Sequence, residues 1–238
     1  MIWWDPYYFL IVGPAMLLSI WATVKVKGAF ARASQIAPHS GMSGAEAAAR
    51  VLATHGLRNV AIEPAEGFLS DHYDPRTKVL RLSPDVYQGR SLAAVGVAAH
   101  EAGHAIQDAT AYGPLAIRNG LVPMAAVGSN LAFILFFIGV ALSYAGGLSW
   151  GRNLVLAGIV LFSLTVVFQL VNLPVEFDAS RRARAVLVSN GIIDPQEERE
   201  VARVLNAAAL TYVAATLTAI LTLLYLLMRS GLLGGRRN

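Results

Sequence analysis

VGVAAHEAGHAIQ, residues 95–107, sets two histidines four residues apart, with a glutamate beside the first, among small and aliphatic residues. Four residues make about 400° of helical rotation. On a helix, His100 and His104 therefore share a face about one turn apart and can grip one metal ion. Glu101 lies roughly 100° round from His100 and about 60° from His104. Its carboxylate can reach a water on the metal without being a ligand itself. Zinc hydrolysis needs this geometry: the metal lowers the pKa of the water and the carboxylate takes its proton. A buried structural histidine pair is the weaker reading, because these polar groups are costly in an apolar helix without a partner. Ala98, Ala99, Ala102, Gly103 and Ala105 would let a second helix approach closely. A glycine inside a helix costs about 1 kcal/mol relative to alanine. That cost makes sense if bulk at Gly103 would push a third ligand away.

The rest of the chain supplies a membrane context. Of 238 residues, 55% are apolar and 14% charged, with a mean hydropathy of +0.53. Average soluble domains carry about 25% charged residues, so this composition predicts a membrane protein with a modest water-facing part. At this length a single domain over 1–238 is expected. A bilayer core needs about 20 mostly apolar helical residues. Four segments qualify, at approximately 7–24, 121–144, 154–173 and 207–228. The expected fold is mainly α and integral to the membrane, with about four transmembrane helices and a small cytoplasmic zincin-like α+β part carrying the HExxH helix.

Charge sets the expected topology. No Lys or Arg precedes Lys25, so the first segment lacks the basic start of a signal peptide and reads as an uncleaved anchor. Ten of the nineteen Lys and Arg residues lie in 25–120 and five in 174–206. This bias assigns both segments to the cytoplasm and the N-terminus to the outside of a multi-pass cell-membrane protein. Trp3, Trp4, Tyr7 and Tyr8 would form an outer aromatic belt. The net charge of +4 comes without a Lys/Arg-dense stripe interleaved with aromatics, so no nucleic-acid partner is expected. With no cysteines, any zinc must be held by His, Asp or Glu.

Within the cytoplasmic segments, SGAEAAARVLAT (43–54) reads as a helix capped by Ser43, with Glu46 three residues on. NVAIEPAE and KVLRLSP read as short strands flanking the turn-rich LSDHYDPRT. Residues 91–109 read as a helix capped by Ser91, and Pro84 ends the second strand.

Catalytic zinc usually takes three protein ligands and a water. The remaining histidines are His39, His55 and His72. The best-placed carboxylate lies in NLPVEFDASRRAR (172–184), where the third span meets the cytoplasm at Pro174 and Glu176 follows in what reads as the first turn of a new helix. Two spans separate this segment from the histidines, so both emerge on one side of the membrane. Glu176 reads equally well as an ordinary N-terminal helix acid favoured by the macrodipole. Asp178, about 200° further round, should not share its face. Arg181, Arg182 and Arg184 read as interfacial charges, with contact to a developing oxyanion as the alternative.

SGAEAA, GFLSDHYDPRTKVLRLSPDVY, AAHEAGHAIQ and LPVEFDASRRA, in this order behind a leading span, resemble the YugP-type family of membrane neutral zinc metallopeptidases. The match covers most of residues 1–228. The resemblance implies His100 and His104 as zinc ligands, Glu101 as catalytic base and Glu176 as third ligand. More distantly, the chain is similar to HtpX-type proteases and to the membrane zinc proteases that process prenylated proteins. Those have an acid four residues after the ligand glutamate, where this chain has Ser180; Asp178 is one substitute partner for the histidines.

His72 and Tyr73 are candidates to stabilise the oxyanion, against a plain reading of their segment as turn chemistry. The KVLRLS strand is a candidate edge for pairing with an extended peptide. The expected activity is that of a zinc endopeptidase holding one Zn2+ per chain. It acts at the cytoplasmic interface on protein or peptide substrates associated with the membrane. Two alternatives are a non-catalytic metal-binding scaffold and an intramembrane protease with its zinc inside the bilayer. Against the second, the apolar run before His100 is only eight residues long, too short to bury the metal at mid-membrane.

Overall fold

The computed structural model describes residues 5–67, 70–146 and 149–233. The expected belt residues Trp3 and Trp4 lie outside them. The described residues form ten elements. These are α1 (Pro6–Ala33), α2 (Gly44–Thr54), β1 (Ala61–Pro64), β2 (His72–Asp74), β3 (Val79–Leu82), α3 (Pro84–Tyr87), α4 (Leu92–Ala109), α5 (Gly113–Gly146), α6 (Ser149–Ser189) and α7 (Glu198–Arg229). They gather into two compact units, one from 1–20, 117–172 and 212–238, the other from 21–116 and 173–211.

The first unit is built from parts of α1, α5, α6 and α7, the four helices long and apolar enough to cross a membrane. Its surface is inverted relative to a soluble protein. Leu10 is 74% exposed, Val127 67% and Val160 63%. Apolar exposure on this scale needs a hydrocarbon solvent. Inside, Phe136, Val155, Ile159, Phe162 and Leu226 form the core. Without a hydrophobic drive between helices in lipid, close backbone approach does the packing. A methyl group placed on Gly158 would lie 2.6 Å from the Ala132 carbonyl oxygen, and one on Gly139 would lie 2.6 Å from that of Gly151. Glycine thus sets the spacing of α5 and α6.

The second unit holds the sheet and the short helices. The Ser43 hydroxyl accepts from the Glu46 amide, and the Glu46 carboxylate accepts from the Ser43 amide, closing a capping box at the start of α2. Arg90 grips the same carboxylate through both terminal nitrogens. Helix α2 packs on α4, and Val51, Leu52, Leu80, Leu82, Val95 and Leu187 belong to a shared core. Substituents on Gly44 would meet the Val86 carbonyl oxygen at 2.2 Å, so that contact also requires glycine.

The sheet corrects one expectation. Its order is β1–β3–β2, with β1 parallel and β2 antiparallel to β3. The KVLRLS strand is therefore central, paired on both sides, and is not an edge. Its burial fits that place, since Val79, Leu80 and Leu82 are buried while β1 and β2 are largely open. Part of the supposed turn is the third strand: His72 pairs with Arg81 and Asp74 with Val79. The reason lies in Asp71 and Asp74. Asp71 accepts from the amide and hydroxyl of Ser83, fixing one end of the hairpin. Asp74 accepts from the Arg76 amide and the Thr77 hydroxyl, fixing the turn. Lys78 closes that turn in the left-handed region, at φ +56°.

Helix α6 corrects another. No new helix begins at Pro174; α6 continues through it to Ser189. A mid-helix proline removes one hydrogen bond and crowds the preceding turn. The side chains after it, from Val175 to Leu187, are anchored by burial, with Val175, Ala179, Ala183 and Leu187 fully buried one turn apart.

If glycine sets the helix spacing of the first unit, Gly158→Leu should destabilise the protein by about 1–3 kcal/mol through overpacking. Gly13→Leu, where nothing lies within 4 Å of the added carbon, should be close to neutral. Thermal unfolding of the two variants in the same detergent, followed by intrinsic fluorescence, makes the comparison.

Candidate metal centre

Helix α4 starts at Ser91, whose hydroxyl accepts from the Ala94 amide at 3.2 Å. From there it is buried along nearly its whole length, with Ala98, Ala99 and Ala102 at zero exposure. Small residues permit this. A methyl group on Gly103 would lie 2.8 Å from the Ala179 carbonyl oxygen of α6. The backbones of α4 and α6 meet there, one residue before His104 and three after Glu176.

That approach brings the donors together. The His100 and His104 rings lie edge to face, 4.9 Å between centroids. Glu176 Oε2 sits 3.2 Å from His100 Nε2 and 3.7 Å from His104 Nε2. One donor atom from each of the three residues lies within 4.8 Å of the others. Three of four tetrahedral donors at about 2.1 Å from a zinc ion stand about 3.4 Å apart. The observed spacings suit such an ion. The Glu176 and His104 side chains are 4% and 9% exposed, so the group is buried and its members have few alternative partners.

The other ring nitrogens are held by neutral groups. His104 Nδ1 lies 3.0 Å from Gln107 Oε1. The fully buried Gln107 donates its Nε2 to the Val175 carbonyl at 2.8 Å and to Asp178 Oδ2 at 2.9 Å. Those two acceptors fix the direction of the amide, so its oxygen must face His104 and receive the Nδ1 proton. The Nε2 lone pair of His104 then points at Glu176, the arrangement a metal ligand needs. His100 Nδ1 lies 3.1 Å from the Ser180 hydroxyl, which leaves His100 Nε2 toward the same carboxylate. Burial opposes charge on His104, but the hydrogen bond its protonated ring donates to the Glu176 carboxylate and the charges of Glu101 and Glu176 outweigh it, so its pKa is raised. The field that favours a proton there also favours a cation.

Glu101 is 9% exposed and makes no hydrogen bond or ion pair among the described residues. It is thus a free carboxylate beside the cluster. Nearby, desolvation pushes the Asp71 carboxyl above its usual range, and the charge of Glu101 adds to the effect.

The remaining candidates are spread out. His39 and His55 are not in the cluster; His55 Nδ1 lies 2.9 Å from the Val51 carbonyl. His72 and Tyr73 are adjacent on β2, so their side chains leave opposite faces of the strand. The Tyr73 hydroxyl donates to Asp108 of α4 at 2.7 Å, and Lys78 also bonds that carboxylate. Burial, then the Asp108 carboxylate, pushes the phenol pKa far up, so it stays protonated. His72 is exposed, with Nδ1 2.8 Å from the Ser70 carbonyl. Arg181 and Arg182 bind Asp178, and Arg184 binds Glu198. The arginines thus have structural partners.

Sequence reasoning left Gln107 without a role, although it closes the stretch that carries the histidines. Its signal was spacing: three residues after His104 on a helix is the same face. Ser180, at the position where the more distant proteases have an acid, contacts His100 directly. Asp178, considered as a direct partner of the histidines, reaches His104 through Gln107.

Residues 8–231 match the family described as "Putative neutral zinc metallopeptidase". The chain is 47% identical over 222 residues to the "Putative membrane protease YugP" of Bacillus subtilis (strain 168), covering 93% of this chain and 95% of that one. No solved structure matches. With the family match spanning nearly the whole chain and both helices of the donor cluster inside it, this protein belongs to the neutral zinc metallopeptidase family.

Proposed function

We propose that the protein is a membrane-embedded zinc endopeptidase whose active site faces the cytoplasm at the membrane interface, with proteins in or on the bilayer as substrates. The single observation that carries this is the convergence of His100 Nε2, His104 Nε2 and a Glu176 oxygen from two helices, beside an unpaired Glu101 carboxylate. The cytoplasmic side rests on the Lys and Arg distribution. Its relative's printed name, a membrane protease, agrees in kind.

His100, His104 and Glu176 would hold the zinc. When bound, the metal supplies Lewis acidity toward the scissile carbonyl and toward water. Glu101 takes a proton from the attacking water as the new C–O bond forms. It then delivers that proton to the leaving nitrogen as the C–N bond breaks, so it ends the cycle as the carboxylate it began. Gln107 and Ser180 are positioning residues: they hold the two imidazoles with Nε2 toward Glu176. The zincin-like character would lie in the pairing of α4 with a small sheet whose outer strands, β1 and β2, flank β3. Neither β2 candidate is proposed for the developing oxyanion: the Tyr73 hydroxyl is committed to Asp108 of α4, and His72 leaves the opposite, exposed face of the strand.

Glu176→Ala should drop bound zinc in detergent-purified protein from about one per chain to near zero, by elemental analysis; equal zinc in both proteins would remove Glu176 as a ligand. Glu101→Gln should keep its zinc and lose proteolysis of a membrane-protein substrate by at least about 10³-fold, as expected for a general base. Proteolysis surviving that change sinks the assignment, and loss of zinc with it would make Glu101 structural. Gln107→Leu should weaken zinc affinity roughly 10–100-fold in a chelator competition, the usual cost of losing the partner of a ligand histidine. His72→Ala and Tyr73→Phe should each leave zinc content unchanged and kcat within about 10-fold, since oxyanion donors cost more than that when removed.

A further inference from the structure

In the second unit, α1 and α7 frame a groove of about 570 Å³ that shares no residue with the metal centre. One wall is a stripe of α1: Lys25, Gly28, Ala29 and Arg32, at intervals of three, four and seven residues. The other is a stripe of α7: Glu200, Arg203, Ala207 and Leu210 at the same kind of spacing. Each set falls on one helix face. Arg203 is paired with Glu200. Lys25 and Arg32 have no carboxylate partner among the described residues, and the Lys25 ammonium lies over the Trp21 ring at 4.5 Å. The groove therefore carries a net positive charge. Its floor is small and open: a methyl group on Gly28 would meet nothing within 4 Å.

The position of the groove along both helices identifies its ligand. On α1, no charged residue occurs between Asp5 and Lys25; on α7, none occurs between Arg203 and Arg229. Both charge-free stretches begin at the groove, at Lys25 on α1 and after Arg203 on α7, and its apolar residues Ala207 and Leu210 lie on the α7 stretch. A soluble anion would use the cations and leave this apolar floor wet. An amphipathic anion would use both.

We propose that this groove binds an anionic phospholipid, its phosphate held by Lys25 and Arg32 across Gly28 and one acyl chain laid over Ala207 and Leu210. Basic pockets between helices at a membrane boundary take such headgroups by the same physics. This assignment does not rest on the peptidase reading, and its test reads lipid binding with thermal unfolding as the check on folding.

The protein in neutral detergent is titrated with phosphatidylglycerol or phosphatidylcholine, and bound lipid is counted by native mass spectrometry. Phosphatidylglycerol should bind at least about 10-fold more tightly. Each groove charge contributes about a factor of 5, so Lys25→Gln with Arg32→Gln should cost roughly 25-fold for phosphatidylglycerol. Phosphatidylcholine binding should hardly change. Arg58→Gln with Arg76→Gln removes the same charge from exposed sites elsewhere and should stay within about 2-fold, since distant exposed charges are screened. Gly28→Leu fills the floor in a helix that tolerates leucine well and should weaken both lipids. The proposal is overturned if phosphatidylglycerol shows no preference, if the groove variant loses no more than the control variant, or if Gly28→Leu leaves binding unchanged. Displacement of phosphatidylglycerol by inorganic phosphate at millimolar concentration would assign the groove to a soluble anion and overturn it equally.

Discussion

The candidate site depends on one close contact, the backbone of α4 against the backbone of α6 at Gly103 and Ala179. Two imidazoles on one helix present two donors and no more. A third must come from another helix, and a glutamate side chain is short. Any residue larger than glycine at 103 would widen the helix spacing and carry Glu176 Oε2 away from the two Nε2 atoms. The contact is backbone to side-chain-free carbon, so no rotamer change can relieve the loss. The alanines around it, Ala98, Ala99, Ala102 and Ala105, have the same purpose: they let a helix carrying five polar side chains be almost wholly buried.

Burial in turn makes the hydrogen bonds behind the histidines matter. An imidazole in water reorients freely and exchanges tautomers. In a desolvated cluster each unmet N–H or lone pair costs free energy. Gln107 and Ser180 satisfy the outer nitrogens, which leaves the inner ones directed at a shared point. Asp178 stabilises the orientation of Gln107 and is itself neutralised by Arg181 and Arg182. The charged groups thus stand one layer further out than the neutral amide. Placing a carboxylate directly against His104 would put three acids, with Glu101 and Glu176, within one small buried volume.

Much of this was legible in the sequence because its signals are local. The apolar spans, the Ser43 and Ser91 caps and the spacing of the two histidines all act over a few residues or by composition. What escaped depends on partners distant in the chain. Strand β2 looks like a turn because its residues are Asp, His and Tyr; it is a strand because Asp71 finds Ser83. Pro174 looks like a helix start because proline disfavours helix interiors. Burial of the four positions after it, against α4 and its neighbours, keeps α6 continuous. Gln107 is silent on its own, since an amide signals nothing until its three partners are in place.

The fixed direction of that amide has a corollary for substitution. Glutamate has nearly the shape of glutamine, yet at position 107 it would present oxygen where the Val175 carbonyl and Asp178 each expect a proton. An isosteric exchange would therefore reverse two dipoles at once and set like against like in a sealed space. Slow chemical loss of ammonia from this one side chain would be enough to spoil the pocket from behind, without altering any atom that faces the imidazole edges.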